Sequence, residues 1–333
     1  MSELHSDGPS DGPSDGLSDG PAIEIRDLEV RFRRCHPLRG VDLTIAPGTV
    51  FALLGENGAG KTTMIRAMTG YQRPTAGTIR IGGLDPAVDR LAIRRRVGYV
   101  SDSPAMYDWM RIDQIGSFTH PFYGGAFYDN YRSQIERYGL PPTRKIKQLS
   151  KGQRAKVALS LAIAHDPELL IMDEPTSGLD PMVRRDFLES MIDRAITGRT
   201  VFLSSHQINE VERVADTVAI LHDGQIRVCG PLEEIKSSIR QWIITVDDPL
   251  TAIPPIAPEA SIIAEETSGR QRRVVTRGVQ TAGELASDDN VVSVTHQRLS
   301  LEEIFIVCTR GLDEPGDRSG LAAAASPREA PVQ

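Results

Sequence analysis

The sequence predicts an α/β fold built on a parallel sheet, and three observations carry that prediction. Two apolar runs, ELLIMD ending at Asp173 and TVFLSS ending at Ser205, have the unbroken character of strands covered on both faces. A helical stretch from Met182 to Ala195 lies between them, giving the order strand, crossover helix, strand. A further apolar strand, VFALL, runs directly into the glycine-rich GENGAGKTT of Gly55–Thr63, and the helical MIRAMTG follows at once.

The remaining elements follow in chain order. From Ser6 to Pro21 the tetrapeptide Ser-Asp-Gly-Pro repeats, with Leu17 the one departure, and such a segment has no apolar group to offset its ordering entropy. Residues 1–21 are therefore expected to form a disordered tail. The runs IEIRDLEVRF, VDLTI, VFALL and GTIRIGG, between Ala22 and Arg80, alternate or concentrate apolar residues as strands do. Helical periods run from about Asp108 to Ala164. After Gly230 the texture changes: WIITVD, ASIIAEE, RRVVTR and VVSVTHQ read as strands of a small separate sheet. Ser300 with Glu303 makes a capping box for a last helix, LEEIFIVC. The expected domains are 22–238 and 239–311, with residues 312–333, rich in Ala, Pro, Gly and charge, forming a second disordered tail.

Composition narrows the function classes. A chain of 333 residues, 40% hydrophobic and 25% charged, is expected to hold about two globular domains. Its apolar runs fall short of the ~18 to 20 residues that a membrane-spanning helix needs. The start, MSELHSDG, has neither the basic head nor the apolar stretch of a secretory signal, and Cys35, Cys229 and Cys308 are scattered. A reducing, cytoplasmic setting fits these features. A net charge of −7 with 5% aromatic residues argues against nucleic acid as a partner, since neither a basic footprint nor a stacking platform is present.

Two motifs carry the chemistry. In GENGAGKTT the glycines let backbone N–H groups turn toward phosphates, Lys61 has the reach for the β and γ phosphates, and the Thr62 hydroxyl suits Mg²⁺. The nucleotide-binding set is Gly55, Glu56, Asn57, Gly58, Ala59, Gly60, Lys61, Thr62 and Thr63. In ELLIMDEP, four apolar residues deliver Asp173 and Glu174 to the end of a buried strand. There Asp173 suits Mg²⁺ coordination and Glu174 suits polarisation of an attacking water. Together they describe a phosphate-loop ATPase.

LSKGQ, Leu149–Gln153, followed by the helical RAKVALSLAIA, resembles the signature of the ABC ATPases. Ser150, the backbone about Gly152 and the helix N-terminus suit an anion, which in that family is the γ phosphate held by the opposite protomer. Ser150, Lys151, Gly152 and Gln153 are the residues matched, with Lys151 standing where the family has Gly. The resemblance extends in order from Ile23 to Gly230. SGLD, Ser177–Asp180, is similar to the D-loop, which places Asp180 at a dimer interface. SSHQ puts His206 at the switch histidine, and Phe32 stands where the family stacks an aromatic on adenine. The run VGYVSD ends in Asp102, where the family has Gln; the order of motifs makes Asp102 the lid residue that senses Mg²⁺ and the membrane partner.

That resemblance implies a P-loop NTPase core of the RecA-like kind, with an antiparallel β subdomain, a helical signature subdomain and a small C-terminal α+β accessory domain. It also implies an ATPase that takes ATP and Mg²⁺. Two protomers, in a homodimer or a heterodimer with a second ATPase subunit, would close around ATP and drive a separate transmembrane permease from the inner face of the membrane. The strands after Gly230 and the closing LSLEEIF look similar to the appended domain of ATPases serving drug, antibiotic or lipid exporters. The alternative is a non-transport ABC ATPase of translation or DNA maintenance. The short interval from Thr63 to Leu149 and the single cassette weigh against it.

Overall fold

The computed structural model describes residues 20–311, apart from 255, 279, 280 and 287. The tails expected at 1–21 and 312–333 fall outside the described residues, save the short stretch at 20–21. In chain order the elements are β1 (Ile23–Val30), β2 (Leu38–Ile45), β3 (Val50–Leu54), α1 (Lys61–Met68), β4 (Ala76–Ile81), α2 (Arg90–Arg96) and β5 (Val97–Val100). Then come α3 (Ile112–Tyr123), α4 (Phe127–Arg137), α5 (Lys151–Ile163), β6 (Leu169–Asp173), α6 (Pro181–Ile196), β7 (Thr200–Ser205), α7 (Ile208–Val214), β8 (Thr217–His222) and β9 (Gln225–Pro231). The last stretch holds α8 (Leu232–Ser238), β10 (Ile239–Val246), β11 (Ser261–Ser268), β12 (Gln271–Arg277), α9 (Ala282–Ala286), β13 (Val291–Arg298) and α10 (Leu301–Arg310). The chain folds as two compact units, residues 20–49 with 62–202, and residues 50–61 with 203–311.

In the first unit, β2, β1 and β4 form an antiparallel sheet in that order. Ile23 faces Ile45 and Ile81, and Ile25 faces Leu43 and Ile79, so one face of the sheet is a continuous apolar layer. A bulge at Asp27, whose φ is 46°, brings its carbonyl against Gly77; a Cβ there would lie 2.1 Å from that oxygen, so only glycine fits. Parallel β5 and β6 pair Val97 with Leu169 and Val100 with Met172, and β6 is buried along its whole length. The helical subdomain gathers α3, α4 and the start of α5 around Ile112, Ile115, Phe127, Tyr131, Ile135 and Val157. The buried Tyr131 hydroxyl donates to the Ile112 carbonyl at 2.8 Å, which joins α4 to the start of α3. Gly116 makes room for that ring, since a Cβ there would lie 2.3 Å from it.

In the second unit, β3 pairs in parallel with β8, which pairs antiparallel with β9. The Asp216 carboxylate accepts the Val50 N–H at 2.8 Å and fixes the start of β3. A four-stranded antiparallel sheet, ordered β11-β12-β10-β13, follows, with Trp242, Ile244, Val246, Val274 and Leu285 as its core. The Trp242 indole N–H is satisfied by the Thr276 hydroxyl at 2.9 Å. Arg272, only 2% exposed, spends its guanidinium on the carbonyls of Pro249, Thr251 and Gly269, so its charge is held by oriented dipoles. Helix α10 opens with the expected box: Glu303 N–H donates to the Ser300 hydroxyl and Ser300 N–H to the Glu303 carboxylate.

Candidate functional site

The phosphate loop leaves β3 at Gly55 and enters α1 at Lys61. A Cβ on Gly55 would stand 2.7 Å from the Leu221 carbonyl, so the loop can turn out of the sheet there only without a side chain. Gly58 and Gly60 have φ of 88° and 114°, and a Cβ on Gly58 would meet nothing within 4 Å, which leaves an open cradle above the backbone. Lys61 is 6% exposed, and its ammonium donates to the carbonyls of Gly55 at 2.6 Å and Glu56 at 3.3 Å. A buried cation folded over an open, glycine-lined turn at a helix N-terminus fits the phosphates of a nucleotide. Thr62 and Thr63 continue α1, the first exposed and the second half-buried. Glu56 accepts from the Arg310 guanidinium at 3.2 Å, which brings the end of α10 onto the phosphate loop. Nothing in the sequence motifs signals that contact, because it spans 254 residues.

Asp173 ends β6 and is 5% exposed, whereas Glu174 is half-buried just beyond it. Glu174 has φ of 50°, a left-handed conformation that costs a non-glycine residue on the order of 1 kcal/mol. Backbone strain of this kind gathers at functional positions. The turn is closed by Ser177 N–H donating to the Glu174 carbonyl at 3.2 Å. Tyr99, on neighbouring β5, has its phenol pushed up to about 12 by burial, with the Asp173 carboxylate adding to the effect.

Ser150 caps α5: its hydroxyl accepts the Gln153 N–H at 3.2 Å, and the Gln153 side chain accepts the Ser150 N–H at 3.1 Å. The signature is thus a capping box that fixes the helix N-terminus. Gly152 is buried, and a Cβ there would lie 2.9 Å from a Val183 methyl and 3.4 Å from the Asp180 carboxylate. The N-termini of α5 and α6 therefore pack side by side. Asp180 caps α6 by accepting the N–H groups of Met182 and Val183 at 3.1 and 3.0 Å, with Pro181 at the first helical position. Asp102 lies beyond β5, exposed, and its carboxylate faces the Lys151 ammonium at 3.8 Å. Phe32 follows β1 and is 44% exposed, so its ring is not part of the core. His206 is exposed just after β7, ahead of a turn in which Gln207 N–H donates to the Ser205 hydroxyl at 2.9 Å.

The ABC transporter family model matches residues 38–177. The nickel import ATP-binding protein NikO of Rhodobacter capsulatus is 34% identical over 232 residues, which cover 65% of this chain and 91% of that protein. The chain belongs to the ABC transporter ATP-binding family. The daunorubicin resistance ATP-binding protein DrrA3 of Streptomyces coeruleorubidus is 29% identical over 311 residues, covering 86% of this chain and 96% of that protein. A solved ATP-binding subunit of an ABC transporter superposes with a TM-score of 0.61 at 29% identity, covering 65% of this chain and 92% of that one.

This ABC ATP-binding subunit accordingly has the P-loop NTPase fold and is an ATPase coupled to transport, as the cassettes of its family are. Members of the family dimerise and work with separate transmembrane components. Among the described residues no helix is long and apolar enough to cross a membrane.

Proposed function

We propose that this subunit closes with a second copy of itself around two ATP molecules, at the cytoplasmic face of a membrane, to power a drug- or lipid-type exporter. Export is supported by one observation above the others: the relative named for daunorubicin resistance covers 86% of this chain, a span too long to stop short of the C-terminal sheet. The relative named for nickel import aligns over 65% of this chain.

The residues divide the work as follows. Lys61 and the loop Gly55–Thr63 bind the phosphates, and Phe32 offers its exposed ring to the adenine. Thr62 and Asp173 would hold Mg²⁺, and the order of motifs gives Asp102 the lid position. Bound ATP supplies the phosphoanhydride, and Mg²⁺ neutralises charge on its phosphates. Glu174 orients and deprotonates the attacking water, and His206 holds the γ-phosphate side of the site. Ser150, Lys151, Gly152 and Gln153 present the α5 N-terminus to the nucleotide of the opposite protomer, and Asp180 lines that interface.

The transmembrane partner is read onto an aromatic surface of the helical subdomain. Trp109, Tyr107, Phe118 and Phe122 are exposed, and each ring in that order touches the next, with centroids 5.8 to 6.1 Å apart. A cavity of about 420 Å³ lined by Tyr71, Tyr99, Tyr123 and His165 belongs to the same unit. An exposed aromatic patch of this kind marks a protein contact. Nucleic acid has no matching basic surface in the composition.

The test is transport in cells that express this chain with a polytopic chain encoded beside it. Energy-dependent extrusion of daunorubicin-like cationic drugs or labelled lipid, abolished by Lys61→Ala, is the expected result. Lys61-dependent uptake of a metal or nutrient, with no extrusion, would overturn the direction.

A further inference from the structure

This chain departs from its family's pattern at two places in the motifs: Asp102 stands where a Gln is usual, and Lys151 where a Gly is usual. The structure brings the two departures together. The Lys151 ammonium lies 3.8 Å from the Asp102 carboxylate, with 54% and 51% of the two side chains exposed. Lys151 is not part of the core at that exposure. It is also poorly placed electrostatically, because it opens α5, where the aligned peptide dipoles put partial positive charge and disfavour a cation. The helix does not need it for capping, since Ser150 and Gln153 already complete the box. The ammonium also lies 2.9 Å from the point where a Cβ on Gly178 would sit; Gly178 has φ of 66°, so the D-loop turn leaves that space open beneath the lysine.

We propose that Asp102 and Lys151 are a matched pair. Asp102 positions the Lys151 ammonium over the D-loop in the open protomer and releases it, on closure, to the terminal phosphate of the nucleotide held by the partner protomer. In this chain a side-chain cation thereby replaces the close backbone approach that glycine gives elsewhere in the family, and Asp102 is the acid that holds it ready. A triphosphate carries more negative charge than one carboxylate, so the exchange runs toward the nucleotide. Asp102 is a positioning residue, and Lys151 is the group that touches substrate. The proposal rests on the reading that the signature faces the opposite protomer's ATP.

The test uses the full chain in a Glu174→Gln background, in which turnover is expected to be slowed, and measures by light scattering the ATP concentration that gives half-maximal dimer. Both positions are exposed, so their variants keep the fold. Lys151→Met raises that concentration about tenfold, the scale of one charge-assisted contact, and Lys151→Arg restores it. Asp102→Asn lowers it, because the ammonium is no longer held back. On the Lys151→Met background, Asp102→Asn leaves it unchanged. An equal shift from Asp102→Asn with and without Lys151 overturns the pairing while leaving the signature reading intact. A rise in the Mg²⁺ requirement that is independent of Lys151 overturns it in favour of a metal role for Asp102. Absence of any ATP-dependent dimer in the parent overturns the signature reading, and the proposal with it.

Discussion

Single side chains in this protein take roles that burial and neighbours impose on them. His165 follows α5, its ring stacked on Tyr123 with centroids 4.1 Å apart. Burial lowers its pKa from 6.5 to about 4. The folded state therefore keeps it neutral at a pH where the unfolded chain already protonates it. Its contribution to stability is intact above about pH 6.5 and is lost progressively as the pH falls toward 4, because the unfolded state binds the extra proton in that window. His165→Phe keeps an aromatic ring against Tyr123 and removes the titration. The melting midpoint of that variant should fall less between pH 6.5 and 4 than that of the parent; parallel profiles would show that His165 is not the group responsible.

Among the elements, the joint between α3 and α4 combines a shared apolar cluster with one buried side-chain hydrogen bond. Tyr131 donates to the Ile112 carbonyl at 2.8 Å, and burial pushes its phenol far above the usual range, so it stays a donor at every accessible pH. Tyr131→Phe removes a buried side-chain donor from a carbonyl that keeps its place in the helical ladder, and should cost about 0.5 to 1.5 kcal/mol in urea unfolding. A loss under about 0.5 kcal/mol would mean that another donor takes its place. The sequence marks this region as one helical run from Asp108 to Ala164, yet the structure divides it into α3, α4 and α5. The breaks fall at Gly124 and Gly125, with φ of 67° and 52°, and at Gly139, with φ of 61°. Those glycines, and the prolines after Leu140, are the signal that apolar periodicity alone overrides. The capping box at Ser300 was legible because it depends on residues three apart, whereas the same box at Ser150 and Gln153 emerges only from the structure.

At the scale of the whole molecule, legibility follows the distance over which the physics acts. The phosphate loop was readable because its glycines, its lysine and the strand ahead of it are contiguous. The placement of Asp173 and Glu174 at the end of a buried strand was readable because an apolar run delivers them. The ion pairs Asp102 with Lys151 and Glu56 with Arg310 were not, since only the folded chain brings those residues together. The domain limits expected at 238 and 311 coincide with the ends of α8 and the residue after α10, and we retain them as a proposal that the last four strands and α10 act as an accessory domain.

If ATP closes two copies of this subunit and Glu174 then activates the hydrolytic water, purified Glu174→Gln protein followed by light scattering on addition of ATP and Mg²⁺ will reveal both steps. Removing the carboxylate while keeping every phosphate contact should slow turnover roughly 10²- to 10⁴-fold and give a stable dimer that disperses when ATP is withdrawn. A variant that hydrolyses ATP at the parent rate and remains monomeric at saturating nucleotide would contradict the account.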